Sequence, residues 1–223
     1  MWKDAKIIYD KVNSIPPVSE IPDGLTEDLY PYYLDKPYLN EYGSIGGGGN
    51  TNHDYVEIGG IKWATMNLGA TSITDNGKYY AWGETTGYTS EQIGVNKNFN
   101  ENDYVLSNDN CQTFTKYNNT DGLTALLPID DPATIEWGGK WRMPTADEWE
   151  TLDNAVDTVW NYNDGTLVCT DKTDPTKVLI LPCAGNCTDG QVYNAGLDGA
   201  YWSKSLLSDA INWAYHVSFG FEG

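Results

Sequence analysis

Cys183, Cys187, His53 and His216 are the residues whose types could carry chemistry in this chain. Cys183 and Cys187 form a C-x-x-x-C around a Gly-Asn turn, and Cys111 and Cys169 bring the cysteines to four. Four cysteines allow three full pairings, and spacing does not choose among them. A tetrahedral zinc site needs four nitrogen or sulfur ligands. The two histidines lie far from the cysteine pair in sequence, so no metal site is expected. Covalent catalysis needs a nucleophile with a base beside it, and no Ser-His-Asp arrangement can be named with so few histidines. Carboxylate pairs abound among 32 acidic residues and single out no acid–base couple. WNYND (Trp160–Asp164) is rich in turn formers and reads as the turn after a helix. These residues point away from an enzyme and imply no cofactor.

The elements around them have clearer signatures. In WGGKWRMPTADEWETL (Trp137–Leu152), Thr145 stands at an N-cap and Glu148 three residues on, the spacing of a capping box. Trp149, Leu152, Val156 and Val159 follow at helical spacing, with Glu150, Asn154 and Asp157 opposite, which predicts one amphipathic helix reaching Val159. DYVEIGGIKWATM predicts a β-hairpin turning at Gly59-Gly60. GKYYAWGE (Gly77–Glu84) reads as a short aromatic strand, and Thr85 to Trp137 as a long polar excursion. TLVCT and KVLILP flank a turn at Asp174-Pro175, and AYWSKS and WAYHVSF flank the segment SLLSDAIN. One helix among many short strands is an α+β pattern.

Composition limits the partners. The net charge of −19 repels phosphate backbones, which disfavours nucleic acid. No apolar run is long enough to span a bilayer. MWKDAKIIYDKVNS has scattered charge and no apolar h-region, so no signal peptide is expected there. That fits either a removed leader or a destination reached without one, such as a virus particle assembled in the cytoplasm. Trp2, Ala5, Tyr9 and Val12 suggest a short helix; five prolines from Pro16 to Pro37 then interrupt regular structure, with Tyr30, Tyr32, Tyr33 and Tyr38 interleaved. Such a strap is either a disordered tail or a docking arm that orders on a partner, and its aromatics favour docking. Residues 1–49, ending in the glycine hinge of GGGGN, are therefore expected as an anchoring arm. Residues 50–223 are expected as the compact domain.

The segments VEIGGIKWATMNLGA, GKYYAWGET, DDPATIEWGGKWRMPTADEWETL, LPCAGN, YNAGLDGAYWSKSL and AYHVSF, in that order, resemble the Fibrobacter succinogenes major paralogous domain. The resemblance runs from about Asp54 to Phe219, and W-R-M-P-T-x-x-E-W is its most specific piece. It implies a C-type-lectin-like fold related to formylglycine-generating enzymes and to the variable proteins of diversity-generating retroelements. It further implies that Trp141 and Trp149 fill the core and that Arg142 is held by backbone carbonyls or a carboxylate. Two departures stand out. The family continues to a closing strand with an R-x-V-R-like run, whereas this sequence stops at FGFEG, which leaves truncation or a strand from a neighbouring chain. LPCAGNC replaces the commoner LPAAG, leaving a local disulfide and free thiols both open.

The copper-binding cysteines of the formylglycine-generating relatives lie in another segment, and their G-N-V-W-E-W calcium element is missing. The E-P-N motif of calcium-dependent lectins is also missing, and WNYND only resembles the companion W-N-D. The expectation is a non-enzymatic binding module: a phage virion protein, as head or tail fibre or decoration subunit. Its arm (Trp2, Tyr9, Tyr30, Tyr32, Tyr33, Tyr38) would meet the larger assembly, and its C-terminal loops a glycan or protein on a Bacteroidota host. The alternatives are a secreted or cell-surface bacterial binding protein and a purely structural decoration protein, with homo-oligomerisation left open. In this fold family ligand contact concentrates after the Y-W-S strand. Leu206, Leu207, Asp209, Ile211 and Asn212 are therefore the expected ligand-binding residues, while Trp202 and Tyr215 are expected in the core.

Overall fold

The computed structural model describes residues 53–108, 111, 113–138, 140–207 and 210–220, with side chains left aside at 210–212. The anchoring residues Trp2, Tyr9, Tyr30, Tyr32, Tyr33 and Tyr38 lie outside the described residues. Strands β1 (Tyr55–Ile58) and β2 (Ile61–Ala64) form the expected hairpin, with Val56 opposite Trp63 and Ile58 opposite Ile61. Gly59 and Gly60 have φ of +61° and +76°, the left-handed pair that a tight hairpin turn with native twist requires.

After the hairpin the chain has little regular structure up to residue 131, as the polar excursion predicts. Two-residue strands β3 (Ser107–Asn108) and β4 (Thr113–Phe114) pair within it. GKYYAWGE is not a strand: its one ladder contact is the bridge between Tyr79 and Tyr88. Side chains organise the excursion instead. Lys97 and Glu84, both buried, pair at 2.8 and 2.9 Å, and Glu84 also accepts from the Val105 amide at 3.0 Å. Asp103 accepts from the amides of Asn98, Phe99 and Asn100, closing a polar turn.

Helix α1 (Pro132–Trp137) leads through the W-R-M-P-T segment into α2 (Ala146–Ala155). The capping box forms as read: the Glu148 amide donates to Thr145 Oγ1 at 3.1 Å, and the Thr145 amide to Glu148 Oε2 at 2.8 Å. The helix stops earlier than its apolar spacing predicts. Val156, Thr158 and Val159 belong to strand β5 (Val156–Asn161), where β-branched side chains fit a pleated surface better. Val156 remains buried, but Val159 is exposed. Lys172 seals the helix end, its amide and ammonium donating to the carbonyls of Ala155 and Asn154.

Strand β5 pairs antiparallel with β6 (Thr166–Asp171), and β6 with β7 (Val178–Pro182). WNYND thus ends β5 and begins the turn to β6 rather than following the helix, with Asn161 Nδ2 donating to Asp164 Oδ2 at 2.7 Å. Short strands β8 (Asn186–Thr188) and β9 (Gln191–Tyr193) precede the long hairpin β10 (Asp198–Leu207) and β11 (Ala210–Gly220). The architecture is α+β: small antiparallel sheets around one main helix.

Two apolar clusters result. The first joins Ile58, Trp63, Trp149, Leu152 and Val156 to Leu167, Cys169, Leu179 and Leu181. The second holds Trp82, Tyr117, Leu126, Leu127, Ala133 and Met143. Gly185 stitches the approach to β10. At φ +73° a Cβ there would sit 2.0 Å from the Tyr193 carbonyl oxygen and 2.8 Å from the Ala195 nitrogen. Gly185→Ala is expected to destabilise the domain by about 3 kcal/mol, since neither backbone strain nor a backbone clash can relax cheaply. Urea denaturation measures it.

Candidate functional site

The β10–β11 hairpin has two unlike faces. Tyr201, Tyr215, Val217 and Phe219 pack on the first cluster, while Trp202, His216 and Ser218 look outward. Between Trp202↔His216 and Leu206↔Ala214 the register slips, four positions on β10 facing two on β11. This bulge is held from outside the hairpin. Trp82 Nε1 donates to the Ser203 carbonyl at 2.8 Å, the Lys204 amide to the Pro144 carbonyl at 2.8 Å, and the Leu126 amide to the Lys204 carbonyl at 2.8 Å. The W-R-M-P-T segment therefore acts as a brace for β10.

Its individual residues divide. Trp149 is core, as expected. Trp141 is half-buried and packs edge-on to Trp137 at 5.5 Å, and His53 stacks on Trp137 at 4.3 Å. Arg142 is held by both kinds of partner: Glu148 takes its guanidinium at 2.7 and 2.6 Å, and the Met143 carbonyl accepts from it at 3.0 Å. The Arg142 hydrogen bonds hold the Glu148 carboxyl below its usual range. A depressed carboxyl contributes stability above its unfolded pKa of about 4.3 and loses it as pH falls through the folded value. The Tm difference between wild type and Glu148→Gln is accordingly expected to be largest near neutrality and to shrink from pH 5 towards 3. Thermal melts across that range check it.

Trp202 and Trp213 are the exposed aromatics of the hairpin, at 38 % and 68 % of their free surface. Trp202 was expected in the core; it lies on the outer face because Tyr201, one residue before it, takes the inward position. Its indole donates to the Tyr80 carbonyl at 3.1 Å, and His216 meets its ring edge-on at 5.5 Å. The Tyr80 hydroxyl donates to Glu136, which also holds Lys78 at 3.2 Å. Burial, helped by the Glu136 carboxylate, pushes the Tyr80 phenol well above its ordinary range, so it stays a donor. Trp202, Trp213, His216, Tyr80, Lys78 and Trp137 all line one broad open concavity of about 1790 Å³.

The expected ligand residues fare unevenly. Leu206 packs half-buried against the second cluster and faces inward. Leu207, the last residue of β10, is 38 % exposed. Asp209 lies outside the described residues, and Ile211 and Asn212 are placed by backbone alone, within β11. SLLSDAIN is mostly strand, with only residues 208–209 between β10 and β11. Trp213, Tyr80, Lys78 and Glu136 were not singled out by sequence. The exposed Trp213 stands next to the expected segment, and its indole was the available signal.

No family model, curated protein or solved structure matches this chain. All four cysteines are free thiols. Burial pushes Cys169 and Cys187 up to about 12, so both stay protonated and weakly nucleophilic. Among the described residues, no three His, Cys, Asp or Glu side chains gather as a metal-binding group.

Proposed function

We propose that this chain is a non-enzymatic binding and display module with a C-type-lectin-like domain, and that the exposed part of the β10–β11 hairpin, Trp202 with Trp213 near its turn, is its recognition surface. The observation that carries this reading is the pair of exposed indoles, Trp202 and Trp213, beside a large concavity with polar groups at its wall. Indoles give large rigid contact area at low entropic cost, and aromatic anchors dominate recognition energetics. Near Trp202, Tyr80 and Lys78 line the concavity and are tied together through Glu136, polar groups suited to a hydroxyl-rich glycan or a polar protein loop. The setting is a phage virion, as a head or tail fibre or decoration subunit. Residues 1–49 anchor the chain to the particle, and the domain meets the surface of a Bacteroidota host. The sequence of the arm and its glycine hinge support that setting.

The test uses the labelled full chain on a panel of gut Bacteroidota cells and on an array of their surface glycans. Saturable binding that Trp213→Ala removes supports the reading. Absence of binding throughout, or binding indifferent to Trp213, refutes it. Detection of the chain in purified virions tests the setting separately.

A further inference from the structure

The two edges of the β10–β11 hairpin are treated differently. The outer edge of β10 is covered: the Gly185 amide donates to the Asp198 carbonyl, and Pro144, Leu126 and Thr124 bond Lys204 and Leu206 through the backbone. Isolated bridges add Gly185↔Gly199 and Ala125↔Ser205. Among the described residues, the outer edge of β11 has no such cover. Among the described residues β11 pairs with β10 alone. At 11 residues it is also the longest strand.

Unpaired edges invite pairing with another chain, and proteins ordinarily blunt them with charge, proline or a bulge. Every other strand of four or more residues here carries such a feature. Glu57 is in β1, Lys62 in β2, Asp157 in β5, Asp171 in β6, Pro182 in β7, and Asp198 and Lys204 in β10. β11, AINWAYHVSFG, has neither a formal charge nor a proline, in a chain of which 20% is charged. A break in register sets residues 211–213 apart, so the run from Ala214 to Gly220 is the regular edge, and it presents its backbone groups with neither charge nor proline.

We propose that β11 is a pairing edge whose occupant is a second copy of this chain, the two β11 strands lying antiparallel across a two-fold axis. Two chains of net charge −19 repel over most of their surfaces. A charge-free window is where like copies approach without that cost. Identical strands satisfy each other's backbone groups in a two-fold antiparallel pair, so the contact closes as a dimer. The arm is a poorer occupant, since Pro16, Pro17, Pro22, Pro31 and Pro37 each remove a ladder donor. A charged partner would find no counter-charge on this strand. Self-association is read without any ligand, so its failure is distinguishable from failure of the ligand reading.

Sedimentation of the full chain over a wide concentration range tests the proposal. A reversible monomer–dimer equilibrium is expected, strengthened by salt as the like charges are screened. Ser218→Lys and Ser218→Glu, at an exposed position of β11, are expected to raise the dissociation constant at least about tenfold, because an edge charge opposes pairing. Both variants should keep the wild-type circular dichroism. Amide exchange on the wild-type chain gives a readout free of substitution: β11 amides not bonded to β10 should gain protection only as the dimer fills. A chain that stays monomeric at several hundred micromolar overturns the proposal, as does a dimer indifferent to both substitutions. Slow exchange of those amides in the monomer overturns it too, since a segment of the same chain would then cover the edge.

Discussion

Alanine at Trp213 is expected to weaken the proposed cell-surface binding by roughly thirtyfold while leaving the fold intact, the loss of about 2 kcal/mol typical of an aromatic anchor. The indole is 68 % exposed, so its removal takes little packing from the folded domain. Trp202→Ala should weaken binding as well but also lower the Tm. That indole donates to the Tyr80 carbonyl and ties β10 to the segment carrying Tyr80, Lys78 and, through them, Glu136. The pair of variants therefore separates contact from support. Measuring cell binding and thermal melts on the same preparations shows it: Trp213 should move only the first quantity and Trp202 both. A Trp213→Ala protein that melts early would place the indole in the packed structure and remove it from the recognition surface.

Asp131→Ala is expected to cost about 2–4 kcal/mol, the sum of a lost helix cap and a buried donor left without an acceptor. Asp131 is 0 % exposed. Its carboxylate accepts from the Thr134 amide at 3.1 Å, capping α1, and from the Met143 amide at 2.9 Å. It thus fastens the start of α1 to the W-R-M-P-T segment, which in turn braces the β10 bulge through Pro144. Burial pushes its carboxyl up against the pull of these amides. Asp131→Asn keeps one acceptor oxygen and should lose about half as much. Denaturant unfolding of the two variants gives the comparison, and an alanine variant as stable as wild type would show that the brace does not depend on this residue.

Much of the local structure could be read directly. The Gly59-Gly60 turn, the Thr145–Glu148 cap and the Asp174-Pro175 turn between TLVCT and KVLILP each rest on contacts within a few residues, where residue type alone dictates geometry. The end of α2 was not legible in this way. Val156 and Val159 satisfy helical spacing, but pairing with Asp171 and Val168 on β6 competes for the same residues, and the sheet wins. GKYYAWGE failed as a strand for the opposite reason: it has the composition of one and no long partner to pair with.

The candidate site shows the same division at the level of function. Composition and pattern alone determined that this is an acidic α+β chain with one capped helix. They determined also that its cysteines and histidines are too scattered in sequence to name a catalytic set. Which face of β11 carries the indole was decided only in three dimensions. Trp213 shares the parity of Tyr215, Val217 and Phe219, so strict alternation would bury all four. A second break in register, between Leu206↔Ala214 and Leu207↔Ala210, leaves residues 211–213 of β11 opposite no residue of β10 and ends that alternation. Ala214 packs against the second cluster, and Trp213, inside that break, is exposed. A strand's facing follows a period of two only while its ladder is regular, and where a break in register interrupts that ladder depends on the partner strand rather than on the strand's own residues.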